Sequence, residues 1–168
     1  MPKFLSRKLA FAAAGVVAVV IGFRFMRAQT GTPSFPAFGD PTKARFYQLQ
    51  TNPQSADGGY VLALNSAQVY YPSSSPLLTS TDLTDAIVIN GSGGTYSVEV
   101  GLAASGVSTL QNFVNANGSA APVVLVWQTT VYSLTPASAF NLNGGPTIVA
   151  TGLDAADAAA LSTALTTP

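Results

Sequence analysis

The 168-residue chain has no cysteine and no histidine, and only 8% of its residues are charged. Without cysteine there is no disulfide framework, no thiolate nucleophile and no lipid-modified cysteine. Without histidine, the commonest general base and the commonest transition-metal ligand are missing. Basic residues are absent from most of the chain. All seven (Lys3, Arg7, Lys8, Arg24, Arg27, Lys43 and Arg45) lie near the start, and none occurs from Phe46 to Pro168. That stretch carries Asp57, Asp82, Asp85, Glu99, Asp154 and Asp157 instead. A domain of this charge cannot neutralise phosphates, which argues against nucleic acid as a partner. It has no electrostatic attraction for anionic lipid either.

What the chain does have is hydrophobic content, at 48%. Leu9–Phe23 is an unbroken run of 15 apolar residues, preceded by three basic residues and followed by Arg24 and Arg27. At 1.5 Å per residue it spans about 22 Å, short of a bilayer core of about 30 Å. Phe25 and Met26 extend it, and Arg24 can snorkel to the headgroups. Two readings compete, a cleaved signal peptide and a retained signal anchor. A cut after Ala28 would place Met26 where a small side chain is wanted, so the anchor is favoured. The surplus of positive charge before the run predicts a cytoplasmic N-terminus and an extracytoplasmic domain. The expected location is the bacterial inner membrane, with a single span through residues 9–26. Ala10, Ala14, Ala18 and Gly22 form a small-residue ridge on one helix face, suited to close packing against another membrane helix.

Residues 1–28 are thus expected to form the cytoplasmic end and anchor. Residues 29–42 (QTGTPSFPAFGDPT) form a proline-rich extended linker, and 43–168 the domain. Phe35 and Phe38 are candidate contacts if the linker docks on a neighbour. Within the domain, strands are expected at Ala44–Gln50 and Tyr60–Leu64, and Val69-Tyr70-Tyr71-Pro72 leads into a serine-rich loop. Thr81–Ala86 reads as a short helix capped by Ser80 or Thr81. Asn90–Gly94 reads as a turn, and Tyr96–Val100 alternates as a half-buried strand does. Ala104–Asn117 is an amphipathic helix ended by Gly118. Val123–Trp127 and Thr130–Ser133 read as a hairpin around Gln128-Thr129, and Thr147–Thr151 as a strand. Asp154 and Asp157 mark the start of a helix over Ala155–Leu165. The predicted class is α+β: a small antiparallel sheet with two main helices on one face.

Those elements carry a resemblance. LTSTDLTDA (78–86), VEVGLAASGVSTLQNFV (98–114), PVVLVWQTTVYSLT (122–135) and GGPTIVATGLDAADAAALSTAL (144–165) follow one another as in a known domain. From about residue 77 the chain resembles the head of the first periplasmic domain of SecD, an accessory subunit of bacterial protein export. Gly106 falls at that family's glycine. The resemblance implies the fold and a surface that binds polypeptide. It does not extend to proton-driven translocation: SecD has six spans bearing acidic residues, and here one span is expected, with none. The family's hairpin turn usually carries Asp-Gly, where Trp127-Gln128 stands here. The base subdomain that partners the family's head is absent or replaced by residues 43–76.

Chemistry is sparse. Asp82 and Asp85 would make a carboxylate pair for acid/base work or hard-cation binding if they shared a helix. Helix N-terminal placement accounts for them without function, and for Asp154 and Asp157 equally. Serine and threonine are plentiful, but no His or Lys follows Arg45 to activate a hydroxyl. GSGG (91–94) has no lysine of a phosphate loop. No enzyme activity, cofactor, metal or small-molecule substrate is therefore expected. Tyr70, Tyr71 and Trp127 are the aromatics best suited to a partner surface. The leading expectation is a non-catalytic scaffold subunit docked on an integral membrane protein complex, a respiratory or photosynthetic assembly being the specific candidate. The alternative is an export or chaperone-like module that binds polypeptides translocating through the Sec machinery.

Overall fold

Residues 40–50, 61–63 and 69–168 are described by the computed structural model. The expected anchor lies outside the described residues, and with it Ala10, Ala14, Ala18 and Gly22; so do Phe35 and Phe38 of the linker. Among the described residues no helix is long and apolar enough to cross a membrane.

The strands are β1 (Arg45–Gln48), β2 (Val61–Ala63), β3 (Val69–Tyr70), β4 (Leu83–Asn90), β5 (Tyr96–Leu102), β6 (Pro122–Trp127), β7 (Thr130–Pro136) and β8 (Thr147–Leu153). The helices are α1 (Ala104–Asn117) and α2 (Ala155–Thr166). The class is α+β, as expected, but the strands form two sheets rather than one. One has the order β1-β6-β7-β2-β3 and the other β4-β5-β8. Every pair is antiparallel except β2 with β7. The helices therefore do not lie on one face of a single sheet; they share a core with both.

The clearest local departure is at 81–86, where the expected helix is absent. Ser80–Asp82 make one 3₁₀ turn, and the chain then runs straight into β4. The start signal was real, although the cap is Thr79. Its backbone N–H and its hydroxyl both donate to Asp82 Oδ2, at 3.0 and 3.1 Å. The helix does not propagate because Ile87, Val88 and Ile89 favour a pleated strand and pair with β5.

Elsewhere local sequence decides. Leu110 and Phe113 turn to the core with Gly106, at helical spacing, and Gly118 ends α1 at φ 88°. Its N–H closes on Val114 O at 2.8 Å. Asp154 caps α2 by accepting from Asp157 N at 2.8 Å, as its position predicts. Ala158, Leu161, Ala164 and Leu165 are the buried stripe of that helix.

β6 explains an oddity of the sequence, a continuous apolar run where a half-buried strand would alternate. Val123 and Leu125 face the main core, and Val124 and Val126 face a second, smaller one with Tyr47 and Val131. The strand is buried on both sides, so both sides are apolar. The second core exists because the five-stranded sheet curls on itself. Residues just past β3 bond to the end of β1, through Gln50 N to Tyr71 O at 2.9 Å and Ser73 N to Gln48 O at 2.8 Å. Tyr70 and Leu49 pack against the small core from that seam.

Candidate functional site

Three of the four sequence-predicted carboxylates are engaged by local partners. Asp82 is occupied by its capping bonds to Thr79. Asp85 sits on β4, not on a helix, where its Oδ1 accepts from Gly101 N at 2.9 Å and fills a bulge. A side chain at Gly101 would run into Thr84 Oγ1 and that carboxylate. Asp154 is the α2 cap, so all three acids have local structural partners.

The candidate aromatics are scattered. Tyr70 belongs to the seam of the small core, and Tyr71 beside it is exposed. Trp127 is half-buried at the tip of the β6–β7 hairpin, tilted by 40° against Tyr132 with ring centroids 5.7 Å apart. Its indole N–H donates to Pro41 O at 3.0 Å, which fastens the end of the linker to the hairpin. The turn itself is tight: Gln128 has φ 58°. Trp127 is thus tied to its own chain, and the three aromatics do not converge on one surface.

The surface that does converge was not singled out in the sequence. β4, β5 and β8 place Ile87, Glu99 and Ile148 side by side in one row across the sheet. Ile87 and Ile148 are 47% and 50% exposed. Ile89 lies in the next row, paired with Ser97. On the opposite face Val98, Val100, Ala150 and Leu153 are buried in the main core with Leu161 and Leu165 of α2. One face of the small sheet is therefore core and the other an open apolar surface around a carboxylate. The signal was present in Ala86-Ile87-Val88-Ile89, whose two-sided apolar pattern fits a strand packed on both faces.

Two tyrosines are electrostatically distinctive. Burial pushes the Tyr132 phenol above its ordinary 10.0, with smaller contributions in the same direction from Asp157 and Asp154. Burial also raises Tyr47, against the opposing charge of Arg45. A raised folded-state value means that the folded protein holds these protons more tightly than the unfolded chain. Their contribution to stability is intact below pH about 10 and is lost as the pH rises through the folded values. The midpoint of urea unfolding should hold steady from neutral pH to about 10 and then fall. A Tyr47→Phe, Tyr132→Phe double variant should flatten that fall; an unchanged alkaline profile would refute this origin.

No family model and no curated protein matches the chain. Solved structures do. One, described as the structure and function of a membrane component SecDF that enhances protein export, aligns over 76% of this chain and 63% of that one. The TM-score is 0.52 and the identity 16%. The fold is SecD-like. A second SecDF structure, crystallised in a super-membrane-facing form, covers 73% of this chain and 18% of that one, at 17% identity and a TM-score of 0.49. This chain spans less than two thirds of either matched chain. The resemblance drawn from residues 77–165 to the SecD periplasmic head thus holds at the level of the fold.

Proposed function

We propose that this chain is a non-catalytic export module: a membrane anchor carrying an extracytoplasmic SecD-like domain that contacts polypeptide as it crosses the membrane. The observation that carries this proposal is the fold likeness to SecDF, a membrane component that enhances protein export. It favours the export alternative of the sequence over the scaffold subunit, for which the fold offers no specific support. The absence of histidine from the chain, and of lysine from Phe46 onward, supports a binding role rather than a catalytic one.

The test is site-specific photo-crosslinking in cells, with the crosslinker placed in turn at exposed positions around the domain while a precursor is held part-way through export. Adducts with that precursor are the expected result. If every position gives none, and mild-detergent purification instead yields a stoichiometric complex with a non-export membrane assembly, the scaffold role replaces this one.

A further inference from the structure

The row Ile87–Glu99–Ile148 has a chemical character that selects its occupant. Glu99 is half-buried between two exposed isoleucines, and among the described residues its carboxylate makes no ion pair and no side-chain hydrogen bond. Water satisfies it while the face is open. An apolar surface laid over the isoleucines would strip that water and leave a buried, unpaired charge. Covering the face is favourable only if the incoming surface brings a cation to Glu99. The chain beyond Arg45 has none to offer.

This requirement eliminates the other occupants. A second copy of the same face would set Glu99 against Glu99 and so repel itself. An anionic membrane surface is repelled for the same reason. Strand addition to the edge of β4 would leave Glu99, on the central strand, uncovered, and one carbonyl of that edge is already taken, since Ser162 of α2 donates to Ala86 O at 2.7 Å. What remains is polypeptide lying across the face. Ile87 and Ile148 are two inter-strand spacings apart, about 10 Å. A chain in the extended polyproline II conformation, with three residues per turn and a rise of about 3.1 Å, covers that distance in three residues and turns the first and fourth side chains to the same side.

We propose that the outer face of the three-stranded sheet, centred on Glu99, takes up polypeptide in an extended, polyproline II conformation in which a Lys or Arg lies between two aliphatic residues three positions apart. The proposal rests on the export role above and names the surface and the sequence preference of that role.

Its test uses the full-length chain in detergent and two short fluorescein-labelled peptides, one containing Val-Lys-Ser-Val and the other Val-Glu-Ser-Val in the same flanks. Fluorescence anisotropy should show the lysine peptide binding at least about fivefold tighter, the ratio that about 1 kcal/mol of charge discrimination gives. Glu99→Gln should abolish the preference and Glu99→Lys should invert it. Ile87→Ser with Ile148→Ser should weaken both peptides, with the near-ultraviolet signal of Trp127 reporting that the fold is kept. Equal affinity of the two peptides, no binding of either, or a preference unchanged by Glu99→Lys would overturn the assignment. Precursor crosslinks found only away from this row would overturn it while leaving the export role standing.

Discussion

A Phe46→Ala variant should lose about 3–5 kcal/mol of folding stability, the largest single effect expected in this domain. Phe46 is 1% exposed and lies where several elements meet. Its ring stands edge-on to Phe140 at 5.6 Å and 81°, a geometry worth about 0.5–1.5 kcal/mol beyond its area. Its backbone is pinned as well: its N–H donates to Leu78 O, and its carbonyl accepts from Leu77 N and Leu78 N. The backbone bonds hold the site open after truncation, so the cavity cannot collapse easily, and the cost should fall in the upper range. Domains of this size have about 5–15 kcal/mol in total, so the loss would take between about a fifth and all of it. Urea titration followed by Trp127 fluorescence gives the number. A loss below about 1 kcal/mol would mean that the core at β1 repacks freely, contrary to the pinned backbone.

The second large effect is expected to have the opposite sign to the one local propensity predicts. Gly106 lies inside α1, where replacing glycine with alanine ordinarily stabilises by about 1 kcal/mol. Here a β-carbon would press into the carbonyl oxygen of Asp82, a backbone atom with no room to swing away. The same carbonyl accepts from Ala103 N at 2.9 Å and so holds the start of α1 on the 80–82 turn. Gly106→Ala should therefore destabilise by about 1–3 kcal/mol, the range for overpacking a tight contact. Thermal unfolding measured by circular dichroism would check the sign; a raised melting temperature would show that α1 can lift off the turn at little cost.

Gly106 also illustrates how much was legible in advance. The two helices, the β6–β7 hairpin and the Asp154 cap are written in local signals, in apolar spacing, a terminal glycine and an acidic first turn, and they came out as read. So did the likeness to SecD drawn from residue 77 onward, at the level of the fold. Thr79–Ala86 shows the limit. A sound capping pattern announced a helix, and the β-branched residues behind it, completed by pairing with β5, made a strand. The division into two sheets depends on pairings between segments far apart in the chain, which no local window contains. The open face was hidden for the same reason. Ile87, Glu99 and Ile148 come from three separate strands and become neighbours only once the register of all three is fixed. Tyr70, Tyr71 and Trp127 were chosen for their residue type: Tyr70 packs on the small core, Tyr71 is exposed beside its seam and Trp127 stands at the hairpin tip, so their places too depend on pairings outside any local window.

The curled sheet also bears on the order in which the chain can acquire its structure. β1 pairs with β6, and the residues around it reach the far end of the domain: Ala44 N donates to Ala164 O at 3.0 Å, and Arg45 meets Thr167 at a sequence separation of 122. A chain made or delivered N-terminus first therefore presents β1 long before α2 exists. At about 5–20 residues per second that wait is roughly 6–24 s of synthesis, very long beside the microseconds in which a hairpin closes. During it β1 and the doubly apolar β6 have no finished core to enter, and non-local pairing of this kind is also slow in itself. The strand that appears first is secured among the last, and for that interval the domain depends on whatever keeps its exposed apolar segments apart.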